Sequence, residues 1–374
     1  MEAVTRAVPA IGVVGTAKNT GKTTTLVALL QALAGAGLRP AVTSIGFDGE
    51  SQDHITGLPK PRIDVTKGAL VATAERVLPE GTAALEPLCR TGVQTALGEV
   101  VIGRATASGR AVLAGPATGA GLRQVLEALV PLEPDLCLVD GAFGRMAPMV
   151  ETDGLILATG AARSQDLATL VAETRALLWL FRRRALPPAD LPLVRAGNLL
   201  TPAAGAALAG ELAAAAARGS GVRLDLTGAI AQPALAALLD NLPALPFRLE
   251  VRAPDPVRMA LAGPPAPTAA LWRRLSRRGR VGVAKPLPLL AVTVNPFYPE
   301  PALRGYEAAF IDARALHAAM AGALSVPVID TVKEGKEVLF AKIRRKLRGT
   351  HKRGTEPRRS VTTGPGTERL TGGN

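Results

Sequence analysis

Aromatic residues make up only 3% of this 374-residue chain, with two tyrosines and two tryptophans. A core must therefore be built from Ala, Val, Leu and Ile, which the 48% hydrophobic content supplies in quantity. Cysteine is almost absent. Cys89 and Cys137 cannot make a disulfide framework, and with three scattered histidines they give no metal-ligand spacing. Both thiols are expected to act as small buried hydrophobes. No uncharged apolar run is long enough to span a bilayer, and no charged-then-apolar leader is visible, so a cytoplasmic protein is expected. Acid is in deficit too, with 31 Asp+Glu against 44 Lys+Arg. Much of that imbalance is local: residues 341–374 hold 10 basic and 2 acidic side chains, +8 of the formal +13, leaving +5 for the body. That body is an ordinary solvated surface rather than a nucleic-acid footprint.

What the chain does have is concentrated near its amino end, in PAIGVVGTAKNTGKTTTLVALL from Pro9. Ile11, Val13 and Val14 read as a short buried strand that stops at Gly15. A helix begins near Gly21-Lys22-Thr23 and carries Leu26, Val27, Leu29 and Leu30 at helical spacing. A strand that breaks into a glycine loop and restarts as a helix gathers backbone N–H groups and the positive helix end at one point, which suits a phosphate chain. Lys22 can then reach the β- and γ-phosphates of a nucleotide, and the Thr23 hydroxyl can hold Mg²⁺. Gly15, Thr16, Lys18, Asn19, Thr20, Gly21, Lys22, Thr23 and Thr24 are the nucleotide-binding candidates. The usual loop has four residues between its first glycine and Gly-Lys-Thr, whereas five separate Gly15 from Gly21. The expectation is a P-loop NTPase with an α/β fold and a mostly parallel, doubly wound sheet.

Further along, residues 39–46 read as a second strand running into the acidic loop Phe47-Asp48-Gly49-Glu50. In a parallel sheet such strand ends share one crevice with the phosphate loop. Asp48 is therefore a catalytic and metal candidate, beside the plainer reading of an Asp-Gly turn, and Glu50 and Asp53 follow as further acids. Residues 55–68 are Pro- and Gly-rich, a functional loop by composition. Residues 69–78 read as a short strand or helix, 111–114 as a strand and 122–130 as a helix. The run Asp135-Leu-Cys-Leu-Val-Asp140-Gly141 is a buried strand ending in a carboxylate, the position where P-loop proteins keep the acid that organises Mg²⁺ and its waters. Arg145 stands either near the γ-phosphate or on the surface. Residues 154–159 form a strand, followed by a long helix from Ser164 that ends in Arg182-Arg183-Arg184, whose charge suits a helix carboxyl end.

A Pro-rich linker is expected over 185–197, an Ala-dominated helix over 201–218, and half-buried strands over 222–228 and 247–251 with a helix over 233–239 between them. The basic stretch 272–280 reads as a solvated face or an anion contact. Residues 287–294 form an apolar strand ending in Asn295-Pro296, where the Asn295 amide is placed either to read a nucleotide base or to make an Asn-Pro turn. A helix over 312–323 and a strand over 326–329 follow. The basic tail from Arg344 is expected to be disordered. The domain reading is a nucleotide-binding core over 1–185, its continuation or a smaller second α/β domain over 186–343, and the tail over 344–374.

The loop Gly15-Thr16-Ala17-Lys18-Asn19-Thr20-Gly21-Lys22-Thr23 resembles the Gly-Thr-x-x-x-x-Gly-Lys-Thr of dethiobiotin synthetase, the cobyrinate amidases and the MinD/ParA ATPases. The signature lysine of MinD and ParA falls at Ala17 here, with Lys18 one step along. The Lys-Pro that ends the second strand of dethiobiotin synthetase has no counterpart in residues 43–48. A broader set, GTAKNTGKTTTL, TSIGFDGE, TGLPKP, LVDGAFGRMA, ATGAA, LTGAI and AVTVNP, resembles the KamB reactivase subunits encoded beside cobalamin-dependent lysine and ornithine aminomutases. The resemblance implies an ATPase that, with a MutS-like ATPase subunit, drives damaged cobalamin out of an inactivated aminomutase. ATP would be held by its phosphates on Gly15 to Thr24 and Mg²⁺ by Thr23 and, partly through water, Asp48 and Asp140, with Lys22, Asp48 and Asp140 catalytic. Two alternatives stand beside it: an ATP-dependent small-molecule ligase, and a MinD/ParA-type positioning ATPase. Neither the aminomutase served nor a homodimer is fixed by the sequence.

Overall fold

The computed structural model describes residues 8–48, 63–187, 189–217, 221–243, 248–302 and 305–351. At its centre the apolar strand Ala10–Gly15 lies between two other buried strands, Leu136–Ala142 and Gly154–Gly160, parallel to both. The full sheet has nine strands among the described residues. From one edge they run Val328–Ile329, Leu289–Asn295, Gly154–Gly160, Ala10–Gly15, Leu136–Ala142, Pro40–Ser44 and Leu70–Ala74, all parallel. Gly98–Ala105 and Leu85–Thr95 then close the other edge antiparallel. From the first strand the chain moves to one side of the sheet, to Pro40–Ser44. It later crosses to the other side at Gly154–Gly160. The carboxyl end of Ala10–Gly15 is thus the switch point, where open α/β sheets leave a crevice for a ligand.

Strand alternation explains why these runs are apolar throughout. Ile11, Val13, Leu138 and Ile156 face a layer containing Leu26, Leu29, Leu30 and Leu33 of the helix Lys22–Gly35. Ala10, Val14, Cys137, Val139 and Leu155 face the opposite layer, which contains Leu122 and Val125 of Gly119–Leu129 and Leu170 and Leu177 of Leu167–Phe181. Both faces are buried, so neither needs polar residues. Cys137 is fully buried and its thiol is pushed up to about 12, an inert small hydrophobe. Cys89 is only half-buried, on the edge strand Leu85–Thr95.

Residues 186–343 contribute to the large sheet, to a second parallel sheet and to a two-stranded pair of their own. Leu193–Ala196, Gly221–Leu226, Arg248–Ala253 and Gly279–Val283 form a separate parallel sheet in chain order. The stretch expected to be linker throughout thus contains a strand. Right-handed crossovers between strands in sequential order place Pro202–Ala216, Gln232–Asn241 and Pro265–Arg278 on one face. The other face carries an ionic ladder. Arg223 donates to Asp225 (2.9 Å) and to the carbonyls of Leu186 (3.1 Å) and Pro187 (2.5 Å). Arg252 also pairs with Asp225, and Arg280 pairs with Glu250 at 3.0 Å. The strands expected to be half-buried are therefore buried on both sides, because the Pro-rich segment crosses the charged face and Arg223 satisfies its carbonyls.

The expected boundary of the disordered tail needs correction. The helix Lys336–His351 runs through residues 344–351. Its Leu339 and Ile343, four residues apart, are buried in the layer formed with Lys22–Gly35. Residues 352–374 lie outside the described residues. No helix among the described residues is long and apolar enough to cross a membrane.

Leu339→Ala is expected to cost about 2–5 kcal/mol of unfolding free energy in urea titrations. The ionic ladder gives a pH dependence. Burial alone would push the Asp225 carboxyl up, but bonds from Arg252 and Arg223 outweigh it and hold the group below its ordinary value. Its stabilising contribution is therefore present above the unfolded carboxylate pKa and is lost as pH falls through the depressed native value. Unfolding free energy should decline from about pH 5 to about pH 3, and Asp225→Asn should flatten that decline.

Candidate nucleotide site

The turn between strand and helix is shaped by close approaches. A Cβ on Gly15 would sit 2.8 Å from Thr20 Oγ1 and 3.2 Å from the Ala17 carbonyl, so the loop folds back over a bare backbone. Thr20 Oγ1 donates to that carbonyl at 2.9 Å. Asn19 (φ 62°) and Gly21 (φ 85°) both take the left-handed conformation, which turns the chain into the helix. Gly21 provides no side-chain cap, and the first helical turn, beginning Lys22-Thr23-Thr24, holds no acid. An uncapped helix start with a glycine bend before it leaves backbone N–H groups that can accept an anion.

Neighbouring strands hold the loop. The Thr16 N–H donates to the Ala158 carbonyl (2.9 Å), and the Thr16 hydroxyl donates to Thr159 Oγ1 (2.9 Å). Asn295 Nδ2 donates to the Asn19 carbonyl at 2.9 Å, and Asn295 Oδ1 accepts from the Phe297 N–H at 3.2 Å. A Cβ on Gly21 would come within 3.2 Å of Asn295 Cβ. Inside the helix, Thr25 Oγ1 donates to the Gly21 carbonyl (3.0 Å) and lies 2.8 Å from Thr293 Oγ1. Thr159 and Thr293 escaped the sequence reading. Their only signal was a threonine near the carboxyl end of an otherwise apolar strand.

Lys22 points across to the next strand. Its ammonium lies 2.7 Å from Asp140 Oδ2, with the lysine side chain 14% and the aspartate 1% exposed. Asp140 sits in register with Val13 on one side and Ser44 on the other. The ammonium, the Thr23 hydroxyl at the second helical position and the Asp140 carboxylate form the donor set that a magnesium–triphosphate site uses, hard oxygens for the metal and a cation for the phosphates.

The remaining candidates fall as follows. After Pro40–Ser44 the chain turns at Gly46 (φ 71°), and the backbone of Asp48 pairs with Leu113 along the short strand Phe47–Asp48 rather than in a loop. Glu50, Asp53 and the TGLPKP segment lie outside the described residues. Lys18 is exposed on the loop. Arg145, also exposed, has a guanidinium nitrogen 3.3 Å from where a Gly46 Cβ would stand, and has no ion-pair partner among the described residues. The two arginine runs meet away from the loop: Arg183 stacks 3.8 Å from the Trp179 ring centre and Arg273 lies 5.4 Å from it. Burial, Arg182 and Arg273 together lower the Arg183 pKa.

Gly21→Ala should strain the left-handed turn and crowd Asn295, lowering unfolding free energy by about 1–2 kcal/mol in urea titrations. Gly35→Ala, with nothing within 4 Å of its added Cβ, should not be destabilising.

No known protein family, curated protein or solved structure matches the chain.

Proposed function

We propose that this chain is a P-loop ATPase whose turnover drives a change in a partner protein, and that the partner is a cobalamin-dependent aminomutase served together with a MutS-like ATPase subunit. The observation that carries the ATPase reading is the pairing of Lys22, directly after the glycine bend, with the buried Asp140 carboxylate. The seven KamB-like motifs carry the choice of partner.

In this reading the amides of residues 15–24 cradle the triphosphate. The Lys22 ammonium shifts from Asp140 toward the β- and γ-phosphate oxygens as they enter. Thr23, Asp140 and Asp48 would hold Mg²⁺, which would supply charge neutralisation on those oxygens. Asp140, relieved of Lys22, would orient water there. Phosphoryl transfer asks little covalent chemistry of a protein, so positioning and charge neutralisation suffice. Asn295 keeps one N–H and one lone pair beyond its two observed bonds, enough to meet a base edge.

Lys22→Ala should fold but lose Mg–ATP binding at least about 100-fold by isothermal titration calorimetry, because the cationic contact to phosphate is gone. The single variant leaves a buried carboxylate without its ammonium, so it should also be less stable, by about 3–5 kcal/mol at most. Adding Asp140→Asn should recover stability without recovering binding. ATP turnover that rises with inactivated aminomutase, and not with lipid, DNA or small acids, supports the reactivase. Wild-type binding retained in Lys22→Ala would remove the loop from the assignment.

A further inference from the structure

Directly after Asn295-Pro296 the chain forms an antiparallel hairpin, Phe297–Ala302 with Gly305–Phe310, that makes its main contacts with itself. None of its described residues is buried. Yet it carries Phe297, Tyr298, Tyr306 and Phe310, four of the chain's 11 aromatic residues and both of its tyrosines. In a chain this poor in aromatics, placing them on an unsupported arm is a distribution that packing does not explain. Isolated hairpins of two strands are marginal in water, so these rings are not there to build a core.

The base of the arm is tied to the phosphate loop. The Asn295 amide bridges the Asn19 carbonyl and the Phe297 N–H. The Ile311 N–H donates to the Pro296 carbonyl at 3.0 Å, which closes the arm at its root. There Phe297 and Phe310 are register partners, with ring centres 5.7 Å apart in an edge-on arrangement. Phe310 is 65% exposed, more than Phe47 (42%), which follows the strand Pro40–Ser44.

We propose that Phe310, backed by the edge of Phe297, is the platform on which the base of a bound nucleoside triphosphate stacks. This rests on the loop of residues 15–24 being the phosphate site. A nucleotide held there by its phosphates must lay its base within a ribose of the loop, and the aromatic pair begins two residues beyond the side chain that clasps the loop. Asn295 has committed one donor and one acceptor to protein and keeps only one of each for a base edge. Stacking, which every base offers through its π-face, therefore supplies most of the base affinity. Adenine and guanine should be held alike.

The experiment compares Mg–ATP, Mg–GTP and magnesium with inorganic triphosphate on the full chain by calorimetry, using wild type, Phe310→Ala and Phe310→Tyr. Phe310→Ala should weaken ATP and GTP by about tenfold each and leave inorganic triphosphate unchanged, while Phe310→Tyr keeps nucleotide affinity. Unchanged nucleotide affinity in Phe310→Ala overturns the proposal, and a simultaneous loss of aminomutase response would make the arm a protein-docking element instead. An equal loss for inorganic triphosphate overturns it as well. If wild type binds neither nucleotide nor inorganic triphosphate, the loop reading itself fails and the stacking platform falls with it.

Discussion

The arrangement depends on Lys22 and Asp140 holding each other at 2.7 Å across two elements. The Asp140 carboxylate is out of water, which costs several kcal/mol, and the half-buried ammonium offsets this only while it stays in place. The pair's geometry fixes the start of the helix Lys22–Gly35 against the strand Leu136–Ala142, between the strands Ala10–Gly15 and Pro40–Ser44. A pair of this kind is a poor source of net stability and a good latch. On the proposed reading, an anion entering the glycine bend would compete with Asp140 for one ammonium, and its arrival would be felt on the neighbouring strand.

The bend itself is held from one side. Thr16 is bonded to the end of Gly154–Gly160, and Asn19 to Asn295 of the next strand over. Thr25, one turn into the helix, meets Thr293 of that same strand. These polar contacts sit where apolar strands run out, so they replace water on backbone groups that the left-handed turns at Asn19 and Gly21 leave outside regular structure. The opposite side of the loop carries the Lys22–Asp140 latch. One flank is thus held by hydrogen bonds to neighbouring strands and the other by an ion pair.

The large sheet was legible because both of its faces are apolar: Ile11, Val13 and Val14, Leu136 to Val139, and Leu155 to Leu157 read as buried runs bounded by glycine or acid. The strand–turn–helix from Ala10 to Gly35 and the place of Asp140 near the end of a buried strand were legible because spacing and strand context agreed. The antiparallel edge, Leu85–Thr95 with Gly98–Ala105, went unread because its exposed face breaks the apolar pattern with Glu86, Arg90 and Gln94. The helix Pro265–Arg278 was hidden by the Arg-rich face that covers its buried Trp272 and Leu275. The aromatic hairpin was missed for a different reason. Pro299 and Pro301 argue against a central strand, and only an unsupported edge pair tolerates them. The clasp by Asn295 could not be read at all, since it joins residues 276 positions apart.

The small sheet shows how far a periodic pattern can mislead about burial. VRLDL and RLEVR alternate as a strand with one wet face should. The wet face is nevertheless dry at Arg223, Asp225 and Glu250, which are 2%, 3% and 1% exposed. A parallel sheet with helices on one side alone must cover its other side somehow. Here the cover is a Pro-rich crossing rather than a helix, and such a segment brings carbonyls with few N–H groups to match them. Arg223 meets that imbalance: its guanidinium has donors in surplus, and spends them on Leu186, Pro187 and Asp225. The charged alternation is thus the complement of the proline run that precedes it, and each explains why the other is in the chain.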